Sequence, residues 1–177
     1  MTPAPDLVEL ARHMEWADAQ IWTSLLGSSP AQADDRLRLL VYHVHIVQRA
    51  FLSLWRDEAP QFPDPATFRD LAALAAWGRD GHAGLQTFLA SADAAALTRP
   101  LQVPWAAEIE KVIGRTAAQP TIAQTAVQLA LHSSHHRGQI NVRLRGAGTE
   151  PPLVDYIAWV WWGQPEPAWP AGVGLTT

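Results

Sequence analysis

Residues 121–146 read TIAQTAVQLALHSSHHRGQINVRLRG. Helix-forming side chains run through the stretch, Pro120 suits the first turn of a helix, and Gly146 and Gly148 can supply its stop, so it reads as one long helix. In its middle stand His132, His135 and His136, three histidines within five positions. Residues four apart on a helix share a face, with Cβ atoms about 5–6 Å from each other. His132 and His136 can therefore converge on one point, while His135 is rotated away by about 100°.

So long a helix needs partners. Residues 4–26 carry Leu7, Leu10, Met14, Ala17, Ile21 and Leu25 at spacings of three and four, the mark of one buried helix face. Asp34 and Asp35 offer an acidic first turn to a second helix running to Trp55, which the proline-rich stretch 59–65 closes. A third helix fits residues 66–91, with Thr67 and Asp70 in capping-box spacing and Gly78, Gly81 and Gly84 weakening its middle. Residues 92–119 lack a period and include a possible extended piece at 97–105, making a long connection before the fourth helix. Residues 151–162 read as a short C-terminal helix, with Trp159, Trp161 and Trp162 expected to dock on the bundle. Few β-branched runs occur and 48% of residues are hydrophobic, which favours helices packed on helices. The expectation is an all-α, four-helix bundle in one domain, residues 1–177.

With 13 basic and 17 acidic residues, the net charge of −4 argues against a nucleic-acid surface. There is no cysteine, which removes disulfides, thiolate nucleophiles and cysteine-based zinc sites, so a metal must use nitrogen or oxygen. The first residues lack the pattern of a secretory signal, and no run of about 18 apolar residues occurs, so a cytoplasmic protein with no membrane partner is expected. The nine tryptophans are first of all core material, though the tryptophan-rich end leaves room for a homodimer.

Two histidines make an incomplete metal site, and a pair four apart is also a common pattern of surface histidines. A third ligand can come from the second helix, at Tyr42-His43-Val44-His45. His43 shares a stripe with Leu40, Val47, Ala50, Phe51 and Leu54, and His45 one with Arg38, Val41, Gln48, Leu52 and Trp55. The first stripe is the more apolar, which makes His43 the inward-facing histidine in need of a polar partner and the expected third ligand. Three imidazoles leave a position open, as at catalytic zinc, and nickel, iron or manganese would also suit the donors. Such a metal can polarise a carbonyl, acidify water or hold a thiolate. Gln139, three positions after His136, and His13 and Trp16 on the first helix are candidates to line the pocket, and no carboxylate stands out as a base.

The chain resembles the DinB-like (DinB/YfiT) family of metal-dependent enzymes. The resemblance lies in His132-Ser133-Ser134-His135-His136-Arg137-Gly138-Gln139, in Glu15-Trp16-Ala17, in the segment from Leu39 to His43 with Gln48-Arg49 and Phe51-Leu52 beyond it, and in Gly148 to Pro152 leading to Asp155-Tyr156-Ile157. It implies a four-helix bundle with metal ligands His43, His132 and His136, in agreement with the stripes. Members often carry an acidic residue where this chain has Gln48 and an asparagine where it has Leu131, changes that bear on the hydrogen bonds around the ligands. Characterised relatives include thiol-dependent transferases and isomerases. By analogy, the expected function is a metal-dependent reaction of a low-molecular-weight thiol with a small electrophilic substrate. The alternatives are a metal-dependent hydrolase and a non-catalytic, metal-stabilised dimeric binding module.

Overall fold

The computed structural model describes residues 6–174. Among the described residues there are eight α-helices: α1 (Leu7–Leu26), α2 (Ser29–Gln32), α3 (Asp35–Trp55), α4 (Leu71–Ser91), α5 (Ala94–Thr98), α6 (Ala106–Ile113), α7 (Ile122–Gly146) and α8 (Tyr156–Trp161). Short side chains cap the four long ones. Asp6, Asp34 and Asp70 accept from first-turn amides of α1, α3 and α4, and Thr121 forms a reciprocal capping box with Gln124 at the head of α7. The third long helix thus starts at Leu71 with Asp70 as its cap, and Thr67 belongs to a separate 3-10 turn, Pro65–Thr67. Pro120 lies just outside α7, and the expected start of α1 at residue 4 lies outside the described residues.

Each long helix packs against two others, in the cyclic order α1, α4, α3, α7. The core divides into two apolar clusters. One holds Trp22, Leu25, Leu37, Leu74, Ile140 and Leu144, and the other Met14, Trp55, Leu85, Leu89, Ile122 and Leu129. Along every long helix a few polar residues separate the two: Asp18 on α1, His45 and Gln48 on α3, His82 on α4, Ser133 and Arg137 on α7. The order of these three layers gives the direction of each helix. Helices α1 and α7 run from the Met14 cluster to the Trp22 cluster, and α3 and α4 run the other way. The link from α3 to α4 must therefore travel back along the bundle, and it carries Phe62 and Pro63 past α3, where Tyr42 Oη donates to the Pro63 carbonyl at 2.5 Å.

Gly78, Gly81 and Gly84 prove to be packing positions. A Cβ at Gly78 would stand 2.5 Å from His45 Cδ2, one at Gly81 3.1 Å from Arg49 Cγ, and one at Gly84 2.6 Å from Leu52 Cδ2, so these glycines let α4 close on α3. The connection 92–119 contains two helices, α5 and α6, and its expected extended piece shrinks to one antiparallel bridge, Pro100 with Thr121. Of the three late tryptophans only Trp159 is buried, with Nε1 donating to the Pro165 carbonyl. Trp161 is 77% exposed, and Trp162 reaches only the edge of Trp16.

Candidate metal centre

His132 and His136 lie one turn apart on α7 and face His43 across the α3–α7 groove. Their Nε2 atoms meet: His43 to His132 is 3.2 Å, and His132 to His136 is 3.1 Å. Ligands at about 2.0–2.1 Å from a tetrahedral ion stand roughly 3.3–3.4 Å apart, so the spacing fits a shared divalent metal with slight opening. The protonation pattern fits as well. Burial, then the neighbouring imidazoles of His136, His43 and His135, lowers His132 to about 4, and burial followed by His136 lowers His43. Both are neutral at pH 7, the form that ligates. His136 Nδ1 donates to Gln139 Oε1 at 2.8 Å, which leaves the Nε2 lone pair free to face the cluster. His132 Nδ1 is buried with no hydrogen-bond partner.

Two of the histidines, His43 and His132, line a cleft of about 570 Å³ between α3 and α7. Ile46, Val47 and Phe51 of α3 form one wall. Trp105, just before α6, Ile109 of α6 and Phe62 of the α3–α4 link line the cleft as well. Trp105 stands edge-on to both Phe51 and Phe62, at 5.3 and 6.3 Å between ring centres.

A second cluster, Asp18, His45 and His82, is also close enough to share an ion. Its hydrogen bonds fill it instead. His45 Nε2 accepts from Trp22 Nε1 at 2.8 Å, and its Nδ1 donates to Gln48 Oε1 at 3.0 Å, so both ring nitrogens are engaged. Gln48 Nε2 donates to Asp18 Oδ2 at 2.9 Å and to Ser133 Oγ at 3.1 Å. Arg137 Nη1 donates to Asp18 Oδ1 at 2.8 Å, and His82 Nε2 lies 3.1 Å from Asp18 Oδ2. Burial alone would raise the Asp18 carboxyl, but Arg137 and His82 outweigh it and hold the group well below the usual carboxylate range. Burial is also the main cause that lowers His45 to about 4. This is a buried ion-pair network behind the candidate centre, in which His82 Nε2 and Arg137 Nε make no hydrogen bond among the described residues. Ser133 and Arg137 each follow a cluster histidine by one position, and His45 follows His43 by two.

The structure brings His43, His132 and His136 together, and the stripe argument that pointed to His43 is reversed. His45, 1% exposed, is the inward histidine, whereas His43 faces the cleft. Polar partners from three other helices make the mixed stripe the buried one, which hydropathy alone does not register. Gln139 bonds His136 and, through Nε2, His135 Nε2 at 3.1 Å. His13 and Trp16 stay away from the cleft: His13 bonds the Val154 carbonyl at 3.1 Å, and both rings pack around α8. At Gly138, in the middle of α7, a Cβ would meet nothing within 4 Å. Asp18 went unplaced, although it falls in the row Ala11, Met14, Asp18, Ile21, Leu25, all buried. A lone carboxylate in such a row was the available signal. Gln48 also gains a reason: a carboxylate there would face Asp18, whereas the amide donates to it.

An antiparallel-and-parallel four-helix bundle with a three-histidine cluster between its second and last long helices is the class that fold and site define. The DinB family model matches residues 4–167, and the chain belongs to the DinB family. No curated protein and no solved structure matches it significantly.

Proposed function

We propose that this protein is a metal-dependent enzyme that joins a low-molecular-weight thiol to a small electrophilic substrate, as a transferase or isomerase. The observation that carries the reading is the convergence of three imidazole Nε2 atoms, two of them from histidines that line an apolar cleft. A divalent metal there supplies Lewis acidity and favours the thiolate form of a bound thiol. His43, His132 and His136 would hold it, and Gln139 fixes the tautomer of His136. Phe62 and Trp105 give the cleft an aromatic lining. Among the described residues, no carboxylate, lysine or serine lines that cleft. This favours a reaction in which the nucleophile arrives with a second substrate over hydrolysis assisted by a protein base. Among the described residues no helix is long and apolar enough to cross a membrane, and the proposal places the reaction in the cytoplasm.

The test begins with elemental analysis of protein purified without a histidine tag, beside the His132→Ala/His136→Ala variant. About one metal per chain, lost in the variant, is expected, together with thiol consumption by an electrophile such as iodoacetamide faster than in the protein-free reaction, the excess rate disappearing on chelation. A native chain that takes up neither zinc, nickel nor manganese, or an excess rate that is absent or indifferent to metal, refutes the proposal.

A further inference from the structure

The walls of the cleft are more selective than its histidines. Among the described residues, no Lys, Arg, Asp or Glu lines it, so an ionised group lodged against the walls would lose its hydration with nothing to replace it. The nearby cation, Arg49, is turned away: it donates to the Trp77 carbonyl at 2.9 Å and lies over the Trp77 ring, on the far side of Phe62. The walls present aromatic faces and edges in their place. Phe51, Trp105 and Phe62 form a continuous edge-to-face row, and Phe62 and Ile109 are 61% and 53% exposed at the mouth, with no protein segment covering them.

Polar capacity in the cleft is small and partly spent. Tyr42 Oη is committed to Pro63. Gln128 is exposed and makes no hydrogen bond among the described residues, so its amide offers one donor group and one acceptor to an occupant. It lies four residues before His132 on the same face of α7, about 6 Å along the helix. A volume of about 570 Å³ suits one small organic molecule.

We infer that the electrophilic substrate is an uncharged, flat, largely apolar molecule carrying one carbonyl-type group, with its face on one of the perpendicular rings of Phe62 and Trp105 and its edge toward the other, that group on Gln128 and its reacting end at His43 and His132. This names the substrate class of the site proposed above and rests on that reading. A metal's charge can serve the reacting end alone. The body of the molecule meets only neutral walls, which disfavours substrates carrying several carboxylates or a phosphate.

The inference is tested with two probes that share a skeleton, 2-acetylnaphthalene and 2-naphthoate, titrated calorimetrically at pH 7.5. The native protein is used both as isolated and after chelation, the latter so that a carboxylate cannot gain by ligating metal. On chelated protein the ketone should bind at least tenfold more tightly than the naphthoate, and Trp105→Ala should weaken the ketone at least fivefold. The exposed Ile109→Arg substitution, which spares the core, should tighten the naphthoate at least fivefold. Equal or tighter binding of naphthoate to the chelated native chain, no binding of the ketone, or ketone binding indifferent to Trp105→Ala would overturn the inference. Zinc uptake measured on the same samples separates the two claims. Preference for the ketone without zinc uptake would sink the metal centre and leave the cleft assignment standing, and zinc uptake without the preference would do the reverse.

Discussion

Arg137 donates to Asp18 across 2.8 Å in the buried middle of the bundle, from the position directly after His136. One turn of α7 therefore carries a candidate metal ligand on its outer side and one half of a buried ion pair on its inner side. Removing one partner leaves the other charge unpaired. Arg137→Leu and Asp18→Leu should each cost about 3–5 kcal/mol in urea unfolding, and the double variant should cost clearly less than the sum. Additive costs would show that the pair is not coupled.

The two histidines of α3 should separate by readout. His43→Ala is expected to abolish stoichiometric zinc binding while moving the unfolding midpoint little, because His43 faces the cleft. His45→Ala should leave one zinc per chain but destabilise by about 2–4 kcal/mol, since it strips Trp22 Nε1 and Gln48 Oε1 of their buried partner. Calorimetric zinc titration beside denaturant unfolding checks both, and the opposite pairing would make His45 the ligand.

Gln139→Ala removes the acceptor that fixes His136 without touching the core. Zinc affinity should fall roughly 10–100-fold with stability nearly unchanged. An unchanged affinity in competition with a chromophoric chelator would mean that His136 needs no such orientation.

Two glycines should respond to the same substitution with opposite sign. Gly78→Ala forces a methyl to 2.5 Å from a ring held by two hydrogen bonds, and should destabilise by about 1–3 kcal/mol. Gly138→Ala meets open space in mid-helix and should stabilise by up to about 1 kcal/mol. Thermal melts of the two variants suffice.

Acid should weaken the protein in a defined window. His13 and His45 are both lowered to about 4 from an ordinary 6.5, mainly by burial. The unfolded chain takes up these protons below pH 6.5 and the folded chain resists until about 4. Stability is thus level above pH 7.5 and falls between 6.5 and 4, by on the order of 1–2 kcal/mol per histidine at pH 5. His13→Gln should reduce the slope of unfolding free energy against pH in that interval, and an unaltered slope would count against the assignment.

The long helices were legible because their apolar positions repeat and their caps are short polar side chains. Asp34 announces α3, and the run from 121 to 146 announces α7. The histidine cluster was legible from the spacing of His132 and His136 and from the family resemblance. The connection from 92 to 119 was not, because α5 and α6 are too short for a period to emerge. The polar layer escaped for another reason. Asp18, His45, His82 and Arg137 come together from four helices, and no local pattern records a partner 119 residues away. The glycines of α4 were misread as weakness because their value lies in the neighbour they admit.

The polar layer also governs how the chain can go wrong. Apolar side chains tolerate a rotated helix, since one leucine replaces another at modest loss. Asp18 and Arg137 tolerate none: a slip of α7 by one residue turns it by about 100°, strands a carboxylate in the interior and swings His132 and His136 out of the groove. A misaligned bundle is therefore not a weaker version of this protein but one with a bare buried charge. The register that pairs Asp18 with Arg137 is the one in which the three imidazoles face one another.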